Sequence, residues 1–246
     1  MNRRIVLHMF LMLVAAQTGC AARLPTYPWV DQAHASQRLS ERSSQMRTLS
    51  SPCRILLADP NTSPTQFDGA LVARTPGFLR LRAWKFSQPV LDITLTPEGL
   101  WIFSAQRDES SDDHTSPFLS LTAQQLRQAW SLATGGMPLD GWTWEGDASH
   151  ATLTIRQNWE SGGSIDCTID RSSLTLRMCT VRRSADAAEL TLTLDRYRMI
   201  QQVAVPTRVT MHSEHGTIAI LLDDLSLNEE LPQAAFDPPR RAAKQP

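Results

Sequence analysis

From Ile165 to Leu227 apolar residues recur at every second position in three successive pairs of short runs, the period of strands with one buried face. Val205, Thr207, Val209 and Met211 alternate with polar residues, Ser213-Glu214-His215-Gly216 reads as a turn, and Ile218, Ile220 and Leu222 resume the alternation. With Glu214 and His215 as the loop, the register predicts Met211 opposite Ile218, Val209 opposite Ile220 and Thr207 opposite Leu222, all on one face. After Leu222 the apolar phase slips by one, to Leu225 and Leu227, which predicts a bulge near Asp223 and Asp224. Upstream, a two-residue loop at Arg171 and Ser172 predicts the pairs Ile169/Leu174, Cys167/Leu176 and Ile165/Met178. In that register Cys167 lies on the apolar face and Cys179, in alternation with Arg177 and Val181, on the other. A Cys167–Cys179 bridge therefore requires another register or a bulge.

Earlier in the chain the patterning changes period twice. Asp31 is a candidate N-cap for a helix running to about Leu49, with a thin apolar stripe of Leu39, Met46 and Leu49. Cys53, Ile55 and Leu57 then alternate as a strand, and residues from Asn61 to Pro64 break it. Phe78 to Phe86 carries bulk on both faces: Leu79, Leu81 and Ala83 on one, Phe78, Trp84 and Phe86 with two arginines on the other. Leu91, Ile93 and Leu95 face Leu100, Ile102 and Ser104 across a Pro97-Glu98 turn closed by Gly99. The opposite face of that hairpin presents Trp101 and Phe103, which need a cover. A helix from Thr122 to Thr134 is the expected cover: Thr122 and Gln125 form a capping box, Leu121 and Leu126 a staple, and Gly135-Gly136 a stop. Leu126, Ala129, Trp130 and Ala133 line one of its faces. Trp142, Trp144, Leu153, Ile155 and Trp159 supply further strands, and Arg107 to Ser116 reads as an exposed loop.

The N-terminus belongs to no such pattern. Arg3 and Arg4 precede an apolar run from Ile5 to Ala16 and then Gln17-Thr18-Gly19-Cys20-Ala21-Ala22, the layout of a signal peptide. The residues before Cys20 resemble a bacterial lipobox, in which the cysteine is diacylated and becomes the mature N-terminus. Gln17 stands where leucine is usual, so plain secretory cleavage is the rival reading. Ala21, not aspartate, after the cysteine points to the outer membrane. Several acyl chains anchor stably where one would be marginal. Residues 1–19 are thus read as signal peptide, 20–30 as a lipidated tether containing Pro25 and Pro28, 31–239 as one domain, and 240–246 as a disordered tail.

Composition excludes more than it identifies. Twenty-four basic against 25 acidic residues give a net charge of −1, with no long basic run, and no electrostatic case for nucleic acid. With 246 residues, 41% of them hydrophobic, the chain can bury a sizeable core. His212 and His215 sit at a strand end and a turn with no third metal ligand near in sequence. Asp112, Asp113 and His114 fall in the polar loop, where solvated charge is ordinary. Ser161-Gly162-Gly163-Ser164 lacks the lysine and helix of a phosphate loop. No G-x-S-x-G, H-E-x-x-H or Cys-x-x-Cys pattern occurs, and Cys53 and Cys167 on apolar faces read as buried thiols. No catalytic residue, metal or cofactor is nominated.

The order of elements, together with Val205-Pro206-Thr207-Arg208-Val209, the hairpin after it, Leu225-Ser226-Leu227-Asn228-Glu229-Glu230-Leu231 and Ala235-Phe236-Asp237-Pro238-Pro239, resembles the LolA/LolB-like lipoprotein-carrier superfamily and its N-x-x-L…F-x-x-P tail. The resemblance spans about residues 31–239. It implies a mainly β (α+β) fold: a curved, incomplete antiparallel β-barrel with helices covering the open side, around space for acyl chains. The polar residues with which soluble carriers gate their lid have no match here. The expected function is a non-enzymatic, membrane-anchored, monomeric protein that holds acyl chains of lipid or lipoprotein. The cavity and lid candidates are Trp101, Phe103, Leu126, Trp130, Ala133, Leu176, Val209 and Ile220. The alternative is a docking module for another envelope protein with a filled core.

Overall fold

The computed structural model describes residues 23–58, 63–105, 126–127, 130–131, 141–159, 162–182, 189–214, 216–240 and 242–245. Helix α1 (Gln32–Ser44) is followed by β1 (Thr48–Ala58), β2 (Thr65–Arg74), β3 (Phe78–Lys85), β4 (Gln88–Thr96) and β5 (Gly99–Ser104). Then come β6 (Thr143–Glu145), β7 (Thr152–Asn158), β8 (Ser164–Asp170), β9 (Thr175–Arg182), β10 (Glu189–Ile200), β11 (Val203–Ser213), β12 (Gly216–Leu222) and β13 (Ser226–Leu227). A 3-10 turn (Gln233–Phe236) and β14 (Ala243–Gln245) end the chain. Asp31 caps α1, its Oδ1 accepting from the His34 N–H at 2.7 Å. The helix is shorter than its apolar spacing predicts, because Met46 and Leu49 continue the same buried face in the link to β1 and in β1 itself.

The described strands form one antiparallel sheet of fourteen, in the order β14-β5-β4-β3-β2-β1-β12-β11-β10-β9-β8-β7-β6, with β13 also on β1. Two meanders therefore meet at β1 and β12, and the long stretch between β5 and β6 runs from the strand next to one edge to the strand at the other. The sheet is not closed into a barrel. It is nevertheless strongly bent. Ile93 of β4 and Leu192 of β10 line one small cavity, yet in a flat sheet they would stand six strand spacings, about 29 Å, apart. The inner face holds one continuous core that includes Ile55, Leu95, Leu100, Ile155, Ile165, Leu194 and Ile218.

The β11–β12 hairpin has the register its alternation predicts, with Val209 opposite Ile220, Met211 opposite Ile218 and Ser213 opposite Gly216. The β4–β5 hairpin likewise pairs Leu95 with Leu100, Ile93 with Ile102 and Leu91 with Ser104. Against β1, the residues after Leu222 carry one extra position: Leu222 faces Cys53 and Ser226 faces Ser50. That is the bulge expected near Asp223 and Asp224.

The β8–β9 hairpin corrects the expected register. Its loop is Arg171–Leu174, with Leu174 in the left-handed region at φ 51°, so Ile169 faces Leu176. A bulge at Arg177 then shifts the pairing again, and Thr168 faces Met178 and Cys167 faces Cys179. The total slip is odd, which turns Cys179 to the inner face. Cys167 and Cys179 are disulfide-bonded across the strands, Cα–Cα 4.1 Å, so Cys167 is not a thiol.

At the C-terminus the expected disordered tail, residues 240–246, contains β14, whose Ala243 and Lys244 face Ile102 and Trp101 of β5. Between β13 and β14 the chain crosses the outer face. Phe236 is buried there, 5.4 Å from the Phe78 ring, and Arg74 lies 4.2 Å over Phe78. Arg80 donates to both oxygens of Asp92, at 3.0 and 2.8 Å, and to the Ala235 carbonyl at 3.1 Å, tying this segment to β3 and β4.

Candidate functional site

The inner faces of the two meanders converge on a cavity of about 60 Å³. Its wall is Leu71 of β2, Leu79 and Leu81 of β3, Ile93 of β4, Leu192 of β10, Val209 and Met211 of β11, Ile220 of β12, and two residues of the β5–β6 connection, Leu126 and Trp130. Each sheet residue is there because period-two alternation sends it inward. Leu126 and Trp130 are helical and sit four residues apart, hence on one face. Arg127 fixes that segment to the β4–β5 turn, its Nη2 donating to the Thr96 carbonyl at 2.8 Å and the Pro97 carbonyl at 3.2 Å.

Among the described residues no titratable side chain lines the cavity. Such a wall can exclude water and hold hydrocarbon, and it offers nothing that moves a proton or polarises a bond.

Of the residues expected to form the site, Leu126, Trp130, Val209 and Ile220 lie together on this wall. Trp101 and Phe103 do not. Leu100 and Ile102 turn inward, so Trp101 and Phe103 turn outward, and the expected cover by the Thr122 helix is replaced at Trp101 by β14, with Lys244 Nζ 5.5 Å from the ring. Leu176 is buried opposite Ile169 at the closed end of β8–β9, away from the wall. Ala133, the capping box at Thr122 and Gln125, and Asp112, Asp113 and His114 lie outside the described residues. The reading of the sequence missed Leu71, Leu79, Leu81, Ile93, Leu192 and Met211 as wall residues. Alternation marked Leu79, Leu81, Ile93 and Met211 as facing one side, and Leu71 and Leu192 lie in strands that were not singled out; nothing local distinguishes a wall from a filled core.

The remaining chemistry-bearing groups among the described residues do not assemble into a site. Among the described residues no three potential metal-ligating side chains cluster. His212 Nδ1 meets the Thr217 hydroxyl at 2.8 Å across the hairpin. Asp147, Ser149 and His150 stand together on the exposed β6–β7 turn, but Asp147 and Ser149 both approach the same ring nitrogen of His150, at 2.9 and 3.3 Å. A triad needs the carboxylate on one nitrogen and the hydroxyl on the other. Burial, with the Asp223 charge adding to it, pushes the free Cys53 thiol up to about 12, so it is not a nucleophile near neutral pH.

No protein-family model and no curated protein matches the sequence. Solved structures do match the fold. An outer membrane lipoprotein-sorting protein domain from Vibrio parahaemolyticus superposes with a TM-score of 0.59 at 11% identity, over 83% of this chain and 95% of that one. A LolA superfamily protein from Nitrosomonas europaea gives 0.53 at 12% identity, over 82% and 97%. The fold is LolA-like. A DUF1329 family protein from Desulfovibrio piger shares it, with a TM-score of 0.58 at 11% identity over 85% and 98%.

Within this LolA-like sheet the C-terminal motif residues have physical roles. Asn228 takes the left-handed conformation at φ 59°, which asparagine tolerates better than most residues. Its side chain accepts from the Arg47 N–H at 2.8 Å and donates to the Gln45 carbonyl at 2.9 Å, pinning the α1–β1 link. Phe236 closes the outer face of β3. No helix among the described residues is long and apolar enough to cross a membrane.

Proposed function

We propose that this chain is a non-enzymatic envelope lipoprotein, anchored through Cys20 to the outer membrane, that shelters acyl chains between the inner face of the sheet and the helical segment carrying Leu126 and Trp130. The observation that carries the reading is the wall itself: among the described residues, ten apolar side chains from six strands and one helical segment around a small space. Its volume of about 60 Å³ is well below the roughly 300 Å³ at which ligand pockets begin. On this reading Trp130 and Leu126 move away to admit an acyl chain, and the small volume is that of the closed arrangement. Two further observations support an envelope protein. The Cys167–Cys179 disulfide belongs to an oxidising compartment, and one structural neighbour is an outer membrane lipoprotein-sorting domain.

The test is mass spectrometry of lipids extracted from the purified protein, followed by incubation with a fatty-acid-bearing lipid. A co-purifying or exchangeable lipid near one per chain is the expected result. A chain that stays lipid-free at saturating lipid leaves the second reading, a docking module for another envelope protein, which the small volume favours. For the anchor, Cys20→Ser is expected to leave the fold intact and release the protein from the membrane fraction, because acyl chains dominate membrane affinity. Fatty-acid labelling of the wild type with globomycin-sensitive processing checks it directly.

A further inference from the structure

A second cavity, of about 440 Å³, lies outside the core between the N-terminal segment, α1 and the β10–β11 turn. It is within the usual range of ligand pockets and differs in kind from the apolar one. Tyr27 forms its floor, with the Arg38 guanidinium 5.9 Å and the Arg42 guanidinium 5.5 Å from the ring centroid. Arg42 is held in place by donating to the Leu174 and Ser173 carbonyls at 2.8 and 2.9 Å, and Tyr27 by its N–H to the Ser172 carbonyl at 2.7 Å. Arg38 is half exposed and pairs with Glu41 at 3.1 Å along the helix. Pro25 and Met199 add apolar surface.

We infer that this groove binds the phosphate-bearing headgroup of an anionic phospholipid and seats the domain on the bilayer surface. The inference rests on the anchored reading above, and two observations give it direction. First, Pro25 stands five residues after Cys20, so the groove lies within about 18 Å of the anchor even with the link fully extended. Second, the charge is complementary: Arg38 and Arg42 line the groove against Glu41, and residues 23–47 as a whole carry Arg23, Arg38, Arg42 and Arg47 against Asp31 and Glu41, in a chain whose net charge is −1. Arginine matches phosphate geometry with paired donors. In the same N-terminal segment Val30 is 61% exposed, an aliphatic side chain suited to the interface.

Amide hydrogen exchange of the full chain in nanodiscs of phosphatidylcholine, with and without phosphatidylglycerol, tests this. Exchange across 38–45 and 199–202 is expected to slow severalfold in the anionic discs, to recover at high salt, and to stay fast in Arg38→Gln, whose exposed pair with Glu41 is dispensable to the fold. Equal exchange in both discs, or undiminished slowing in Arg38→Gln, overturns the proposal. Slowing by millimolar inorganic phosphate in neutral discs overturns the lipid source. Absence of fatty acid on Cys20 overturns the anchored reading separately, and co-sedimentation of the unanchored protein with vesicles of the same two compositions then reads the groove by itself.

Discussion

Gly69 marks a place on the inner face where a side chain has no room. A Cβ there would meet the Arg82 carbonyl oxygen at 2.7 Å and Ile55 Cδ1 at 2.9 Å, and the carbonyl cannot move without disturbing β3. Gly69→Ala is therefore expected to destabilise the domain by about 1–3 kcal/mol, seen as a lower denaturation midpoint; an unchanged midpoint would mean that the strands separate freely. Asp170 is a second residue whose surroundings set its chemistry. Burial alone would raise its carboxyl, but the Arg177 guanidinium, the Ser173 N–H and the Ser172 and Ser173 hydroxyls together hold it well below the usual range. A carboxylate depressed in the folded state contributes stability that is whole above the unfolded value, near pH 4, and is lost as pH falls toward the folded one. Stability is thus expected to decline below about pH 4. Asp170→Asn should flatten that limb while lowering stability at neutral pH by about 1–3 kcal/mol, as melts across pH will show.

Among the elements, hairpins with ordinary loops and strict alternation had a legible register, as β4–β5 and β11–β12 show. Three others did not. The β3–β4 turn places Phe86 and Ser87, and the β10–β11 turn Gln201 and Gln202, at positive φ without glycine or asparagine, so no turn signal reached the sequence. The twist of the paired strands imposes those turns. In β8–β9 the bulge at Arg177 has no local signature either, and it decides the disulfide. The crossing of the outer face depends on the Arg80–Asp92 pair, whose side chains are 12% and 7% exposed. Asp92→Ala leaves the Arg80 guanidinium buried and uncompensated, an expected loss of about 3–5 kcal/mol. Replacing both, Arg80→Met with Asp92→Leu, should restore most of it, since an apolar pair removes the buried charge; a double variant as unstable as the single would show that the tie to the Ala235 carbonyl matters more.

For the molecule as a whole, an open and bent sheet leaves its inner face to be covered by whatever joins β5, next to one edge, to β6 at the other. Leu126 and Trp130 belong to that connection, and the cavity behind them makes the energetics of Trp130 informative. In a filled core Trp130→Ala would cost about 3–5 kcal/mol. Trp130 is only partly buried and already borders empty space, so the expected loss is below that range, with bound lipid falling at the same time. Thermal melts and lipid content of one variant decide it: a full-sized loss without change in lipid would favour the docking module over the carrier.

The sequence alone determined the face of most strands, two of the hairpin registers, the bulge after Leu222 and the cap at Asp31, because each depends on neighbours a few residues away. Tertiary structure decided the rest. Whether Cys179 meets Cys167 depends on a slip accumulated over a turn and a bulge. That β14 adds to β5, and that Trp101 lies under Lys244 rather than under a helix, depends on where the chain end returns. That Leu71, Ile93 and Leu192 share a wall depends on the curvature of the whole sheet, and curvature is a sum over many strand pairs that no stretch of sequence records.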